Sequence, residues 1–269
     1  GSDDLFYGNV ERDTALQPGI IFIDDAPDGS RSGVSEEIVI APQTTAGAGQ
    51  IAVTNSTDGT NVVTVDFTNT EDITVSINDG SAGDTDTLTI LGTTAGDVMT
   101  IDLTNAGNDS EPLVDIDSAG ATQLLQIENF QVATANSGGV PPLSPLPQLN
   151  IGSGDGDDTI RLTGRADGAT TIDVDAGNPD GSDTIALDTT TGNDAYSIEP
   201  GAQSDSGEIS VALNGNTATT INFTGTEAIT ISSLGLDPAS GDGGIDALTF
   251  EGSGSDDAIT INNATADAG

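Results

Sequence analysis

Asp86-Thr-Leu-Thr-Ile90, a glycine at Gly92, then Asp97-Val-Met-Thr-Ile101: two short segments, eleven residues apart from Asp to Asp, in which apolar side chains alternate with threonine. Period-two alternation rich in Thr, Val and Ile, bounded by Gly, Asp or Asn, predicts short half-buried β-strands. The pair returns as Asp246-Ala-Leu-Thr-Phe250, Gly252, Asp257-Ala-Ile-Thr-Ile261, and as Asp183-Thr-Ile-Ala-Leu187 followed by Asp194-Ala-Tyr-Ser-Ile198. A looser version runs Leu149-Asn-Ile151, then Asp158-Thr-Ile-Arg-Leu162. One step used four times predicts a repeat architecture.

Working outward, Asn61–Phe67 with Asp72–Val75 matches Thr219–Phe223 with Ala228–Ile231, and Leu124–Phe130 is a weaker relative. Ile38–Pro42 with Gly49–Val53 matches Tyr196–Pro200 with Gly207–Val211 at an offset of 158 residues. Strand ends at Ile40, Ile101, Leu162, Ile198 and Ile261 are separated by 61, 61, 36 and 63 residues. They divide the chain into a partial unit (1–40), modules at 41–101 and 102–162, a shortened module at 163–198, a module at 199–261 and a tail at 262–269. The Pro-rich stretch within 138–148 reads as an extended surface loop. No stretch carries apolar residues at helical spacing over three turns; Ala121–Gln131 comes nearest and also fits a strand. The opening Gly1-Ser2 reads as a cloning remnant, so a longer parent chain is expected.

The expected fold is all-β, a repetitive parallel β-solenoid resembling a β-helix, with tandem β-sandwich modules as the alternative. A module that survives shortening to 36 residues, the constant eleven-residue step and Thr89, Thr100, Thr249 and Thr260 at matching positions favour the solenoid. A sandwich module shortened that far would lose two strands from its core.

Composition excludes much of enzymology. The chain has no Cys, His or Trp, and its four basic residues are Arg12, Arg31, Arg161 and Arg165. Disulfides, thiol nucleophiles, histidine general bases and histidine metal sites are therefore absent, and no enzymatic activity is expected. A net charge of −40 repels nucleic acid and anionic membranes. Apolar runs are only a few residues long, as at Ile20–Ile23, so no membrane insertion is expected. Glycan cleavage by paired carboxylates stays open by counting alone, but two Tyr, six Phe and no Trp offer few sugar platforms. Three of those Phe (Phe67, Phe130, Phe223) occupy repeat-equivalent core positions. Arg161 and Arg165 are expected to pair with neighbouring aspartates.

Asp outnumbers Glu by 34 to 10. Short Asp beside Gly, Asn and Ser suits turns and hard-cation loops, where oxygens converge on Ca²⁺ at about 2.3–2.6 Å; a halophilic acidic surface is the other explanation. Ser153-Gly-Asp155-Gly-Asp157-Asp158 is one candidate loop, and Gly252-Ser-Gly-Ser-Asp256-Asp257 a degenerate second. Asp173, Asp175, Asp180 and Asp183 crowd into eleven residues, with counterparts Asp79, Asp84 and Asp86 and then Asp242 and Asp246. Asp97 and Asp194, which open equivalent strands, complete the candidate Ca²⁺ ligands. If coils stack, equivalent aspartates lie about 4.8 Å apart. Repulsion at that distance calls for a cation or a raised carboxylate pKa.

Two stretches carry a resemblance: Asn222-Phe-Thr-Gly-Thr-Glu-Ala-Ile-Thr-Ile231, and Gly244–Ile261 with its Asp-Ala-Leu-Thr-Phe and Asp-Asp-Ala-Ile-Thr-Ile elements. They resemble the repeats of giant secreted bacterial cell-surface, adhesin-like proteins with hemolysin-type (RTX-like) calcium-binding character. Ser153–Arg161 approximates the calcium-binding nonapeptide of that group, with Ser153 in place of its first Gly, and without tandem copies nine residues apart. The resemblance spans roughly residues 38–262 and implies an extracellular, cell-surface, calcium-associated structural or adhesive segment. Divalent cations are the expected partners, with glycans or neighbouring copies and domains of the parent protein as further ones. A glycan-binding or glycan-cleaving β-helix and a surface-layer lattice protein are the alternative functions.

Overall fold

The computed structural model describes residues 19–23, 36–55, 61–68, 70, 72–76, 87–102, 113–118, 122–128, 148–163, 171–177, 182–188, 194–213, 219–232 and 247–250. In chain order the strands are β1 (Gly19–Ile23), β2 (Glu36–Pro42), β3 (Gly49–Asn55), β4 (Asn61–Phe67), β5 (Asp72–Ser76), β6 (Thr87–Leu91), β7 (Asp97–Asp102), β8 (Leu113–Ser118) and β9 (Thr122–Glu128). They continue with β10 (Gln148–Gly152), β11 (Thr159–Thr163), β12 (Thr171–Asp175), β13 (Thr184–Asp188), β14 (Asp194–Pro200), β15 (Gly207–Leu213), β16 (Thr219–Thr224), β17 (Ala228–Ser232) and β18 (Ala247–Phe250). The protein is all-β: the described residues contain strands and no helix.

The strands form two mixed sheets. The larger has ten, in the order β18-β14-β15-β16-β12-β10-β6-β2-β3-β4; the smaller has eight, in the order β1-β5-β9-β8-β7-β11-β13-β17. The chain passes from the larger sheet to the smaller through a short connection at β4 to β5, and then at four more strand pairs: β6 to β7, β10 to β11, β12 to β13 and β16 to β17. These four pairs follow one another in the same order in both sheets, parallel and in register.

Register puts like on like. In the larger sheet Leu88, Leu149, Ile172 and Ile221 form one row, and Ile90, Ile151, Val174 and Phe223 the next. In the smaller sheet the rows are Met99, Ile160, Ile185, Ile229 and Ile101, Leu162, Leu187, Ile231. All but Ile229 and Ile231 are buried, and the two sheets share one apolar cluster. Each fully buried Leu or Ile contributes about 1.5–3 kcal/mol, so the rows are the chief source of stability.

Three reversed strands interrupt the parallel rows. β3 and β15 return antiparallel within the larger sheet, and β8 within the smaller. Between β6 and β4 the larger sheet holds two strands, β2 and β3; between β7 and β5 the smaller also holds two, β8 and β9. Strand spacing is fixed at about 4.8 Å, so packed sheets stay matched only if both add the same number of strands. The arrangement then recurs: β4-β3-β2-β6 reappears as β16-β15-β14-β18, six ladder steps along the larger sheet, and β5 reappears as β17 six steps along the smaller. Phe67 to Phe223 and Ile73 to Ile229 are both 156 residues, which gives an axial advance of about 29 Å per repeat.

Three details differ from the expectation. The sheets are mixed and not wholly parallel, because β3, β8 and β15 run antiparallel to both their neighbours. The step β13 to β14 runs from the smaller sheet to the larger, the reverse of β6 to β7, so Asp183–Ile198 is not a third copy of that crossing. β14 instead takes the place of β2, and β12–β13 take the role of the strand pair. The threonine rows are also mixed: Thr89 lies beside Asn150, then Asp173 and Asn222, while Thr100 lies beside Arg161, Ala186 and Thr230. On the smaller sheet's outer face Arg161 pairs with Asp188 at 3.1 Å, as expected, whereas Arg165, Phe130 and the proline-rich stretch lie outside the described residues.

Candidate functional site: the stacked acidic turns

The turns that cross between sheets stack as closely as the strands. Gly154 (φ +99°) and Gly177 (φ +99°) have backbones that side chains rarely adopt. A Cβ on Gly154 would meet the Thr93 carbonyl oxygen at 2.1 Å, and one on Gly177 the Gly154 carbonyl oxygen at 1.7 Å. Backbone bonds tie successive turns: the Gly92 N–H donates to the Gly152 carbonyl (2.6 Å), Ser153 to Asp175 (3.0 Å) and Ala176 to Thr224 (3.0 Å).

Where each turn enters the smaller sheet stands an acid. Asp97, Asp158, Asp183 and Glu227 occupy one rung position. The Asp97 N–H donates to Asp158 Oδ1 (2.7 Å), the Asp158 N–H to Asp183 Oδ1 (2.8 Å) and the Asp183 N–H to Glu227 Oε2 (2.8 Å). Each carboxylate thus caps the backbone of its neighbour, and the series ends at Asp97, which receives the Thr93 N–H (2.5 Å) and hydroxyl (3.2 Å). Asp97, Asp158 and Asp183 are at most 1% exposed.

Their electrostatics are costly. Burial pushes Asp158 up to about 6, against the pull of the Asp97 N–H and the Ser153 hydroxyl, and the charges of Asp97 and Asp183 add to the rise. Asp97 is raised mainly by burial, opposed by its bonds from Thr93. Asp183 is raised mainly by burial, with Glu227 and Asp157 adding repulsion. Asp158 Oδ2 and Asp183 Oδ2 are buried and make no hydrogen bond. A buried carboxylate oxygen without a partner is satisfied by a proton or by a cation.

The remaining candidate ligands are dispersed. Asp155 and Asp157 are exposed in the turn, where Asp157 accepts the Ser182 N–H (3.1 Å). Asp173 and Asp175 lie on the outer face of β12: Asp173 accepts from Gln148 Nε2 and Asn222 Nδ2 (2.7 Å), and Asp175 from the Gly177 N–H (3.2 Å). Asp194 is buried at the start of β14, away from the ladder. Asp79, Asp84, Asp86, Asp180, Asp242, Asp246, Asp256 and Asp257 lie outside the described residues. Among the described residues no three acidic side chains converge as a ready metal cage. A hard cation there would draw on ladder carboxylates together with turn carbonyls, both of which suit Ca²⁺.

Glu227 is the member that spacing did not single out, because it is not an Asp and β16 reaches β17 through only three residues. Its alignment with Glu71 in the repeat was the available signal. No family model, curated protein or solved structure matches the chain.

Proposed function

We propose that the chain is a non-enzymatic structural segment of a large extracellular surface protein, an acidic β-solenoid stiffened by Ca²⁺ that spaces or presents other domains. The observation that carries this reading is translation without singularity: both sheets repeat after six strands, and the buried acids form a series rather than one unique constellation. Catalytic sites are single convergences of unlike groups, and the acid series offers like groups evenly spaced.

Ca²⁺ is the cation best matched to the turns. Asp158 and Asp183 would hold it through their unpartnered Oδ2 atoms, with Asp155 and Asp157 near the solvent side. Bound there, the ion supplies the positive charge that in-register carboxylates lack, and so stiffens one coil against the next. The resemblance to giant adhesin-like proteins points the same way. Calorimetry after EDTA treatment, then with added Ca²⁺, tests the reading: a melting temperature that rises with Ca²⁺ and not with equal ionic strength of NaCl supports it, and an unchanged one removes the metal from the function.

A further inference from the structure

A small cavity of about 20 Å³ lies in the core between the two sheets, where the chain returns from β13 to β14. Leu162, Leu187 and Asp188 line it from the smaller sheet, and Ile172, Tyr196 and Thr219 from the larger. One buried water requires roughly 10–15 Å³, so there is room for one.

The lining includes a hydroxyl that the protein itself does not satisfy. Thr219 is 4% exposed and lies on the inward face of β16 with Ile221 and Phe223. Its Oγ1 is buried and has no hydrogen-bond partner in the chain. A hydroxyl removed from bulk water without a compensating bond destabilises the fold. Tyr196 and Asp188 are the other polar residues of the lining, and a buried water needs two to four polar partners.

The internal repeat shows that this polarity belongs to one copy. Tyr196, Val211 and Thr219 form a rung across β14, β15 and β16. The matching rung across β2, β3 and β4 is Ile38, Val53 and Val63, in the same register. Both ends of the rung therefore differ together, Tyr196 against Ile38 and Thr219 against Val63, while the valine between them is kept. Thr and Val have nearly the same shape and differ by a hydroxyl, so Thr in place of Val in a core is favourable only where that hydroxyl is bonded.

We propose that this cavity is a binding site for one water molecule, held by the Thr219 hydroxyl together with polar groups of Tyr196 and Asp188. The water joins the larger sheet to the smaller at the place where the repeat begins again. The site is separate from the acid series, and the calcium-stiffened spacer reading stands or falls without it.

Magnetic relaxation dispersion of the water oxygen counts long-lived internal waters, and comparing the unmodified chain with Thr219→Val isolates this one. The unmodified chain should hold one more long-lived water than the variant. In urea denaturation the variant's unfolding constant should be roughly five- to tenfold larger. Equal water counts would overturn the proposal. So would a variant as stable as the unmodified chain or more so, because removing a hydroxyl that never had a partner relieves a cost. A crystal structure of the unmodified chain tests the site without any substitution. Density in the cavity within about 2.5–3.0 Å of Thr219 Oγ1 supports it, and a dry cavity at high resolution overturns it.

Discussion

Replacing Asp158 with asparagine isolates the cost of one buried charge. The amide keeps an oxygen to accept the Asp97 N–H at the position now 2.7 Å away, and removes the negative charge from a site 1% exposed. A rise from the ordinary 3.8 to about 6 corresponds to about 3 kcal/mol at pH values above both. The sign follows from the direction of the rise. The folded state holds the proton more tightly than the unfolded chain, so this contribution is fully present below pH 3.8 and is lost as pH rises through about 6. In chelator, Asp158→Asn should therefore be more stable than the unmodified chain by up to about 3 kcal/mol at pH 7.5, the difference shrinking toward zero at pH 4. Urea denaturation of both chains across that range, read as the difference between them, cancels the general effect of titrating the other acids. With saturating Ca²⁺ the order should narrow or invert, because the amide cannot replace an anionic ligand. An Asp158→Asn chain less stable than the original in chelator at pH 7.5 would refute the reasoning, and so would a difference independent of pH.

Other substitutions test the stacking. Gly177→Ala forces a Cβ to within 1.7 Å of the Gly154 carbonyl oxygen at a φ of +99°, and should cost roughly 2–4 kcal/mol in denaturant midpoint analysis. Ile151→Ala opens a cavity in the middle of the row Ile90, Ile151, Val174, with an expected loss of about 2–5 kcal/mol. Arg161→Ala removes an ion pair to Asp188 whose arginine is 44% exposed; thermal melts should move by the equivalent of about 1 kcal/mol or less.

The strands were legible because their period is local. Leu88 and Ile90 alternate with threonine, and a period of two assigns faces without knowledge of any partner. Pairing direction was not legible, since parallel and antiparallel strands share that period. The clue to the reversed strands lay in the connections: Pro42 to Gly49 and Pro200 to Gly207 leave six residues each, and a parallel neighbour needs a crossover of about a dozen or more. Those connections fold as turns closed by the Gln43 N–H to the Ala48 carbonyl (2.8 Å) and the Gly201 N–H to the Ser206 carbonyl (2.7 Å). The site was legible in part. Aspartates opening strands at a fixed step predicted an in-register series, and Asp97 and Asp158 do align, but the third member is Asp183 and not Asp194, because β14 belongs to the larger sheet. Their burial, and the N–H bonds that turn each carboxylate into a clamp on the next turn, depend on how deep the turns lie, which spacing does not encode.

An anomalous-difference map from crystals grown in calcium would test the central claim most directly. Peaks beside Asp158 and Asp183, within about 2.3–2.6 Å of their inner carboxylate oxygens, are the predicted result. A featureless map there, with both oxygens instead hydrogen-bonded to water, would contradict the claim that divalent ions hold these coils together.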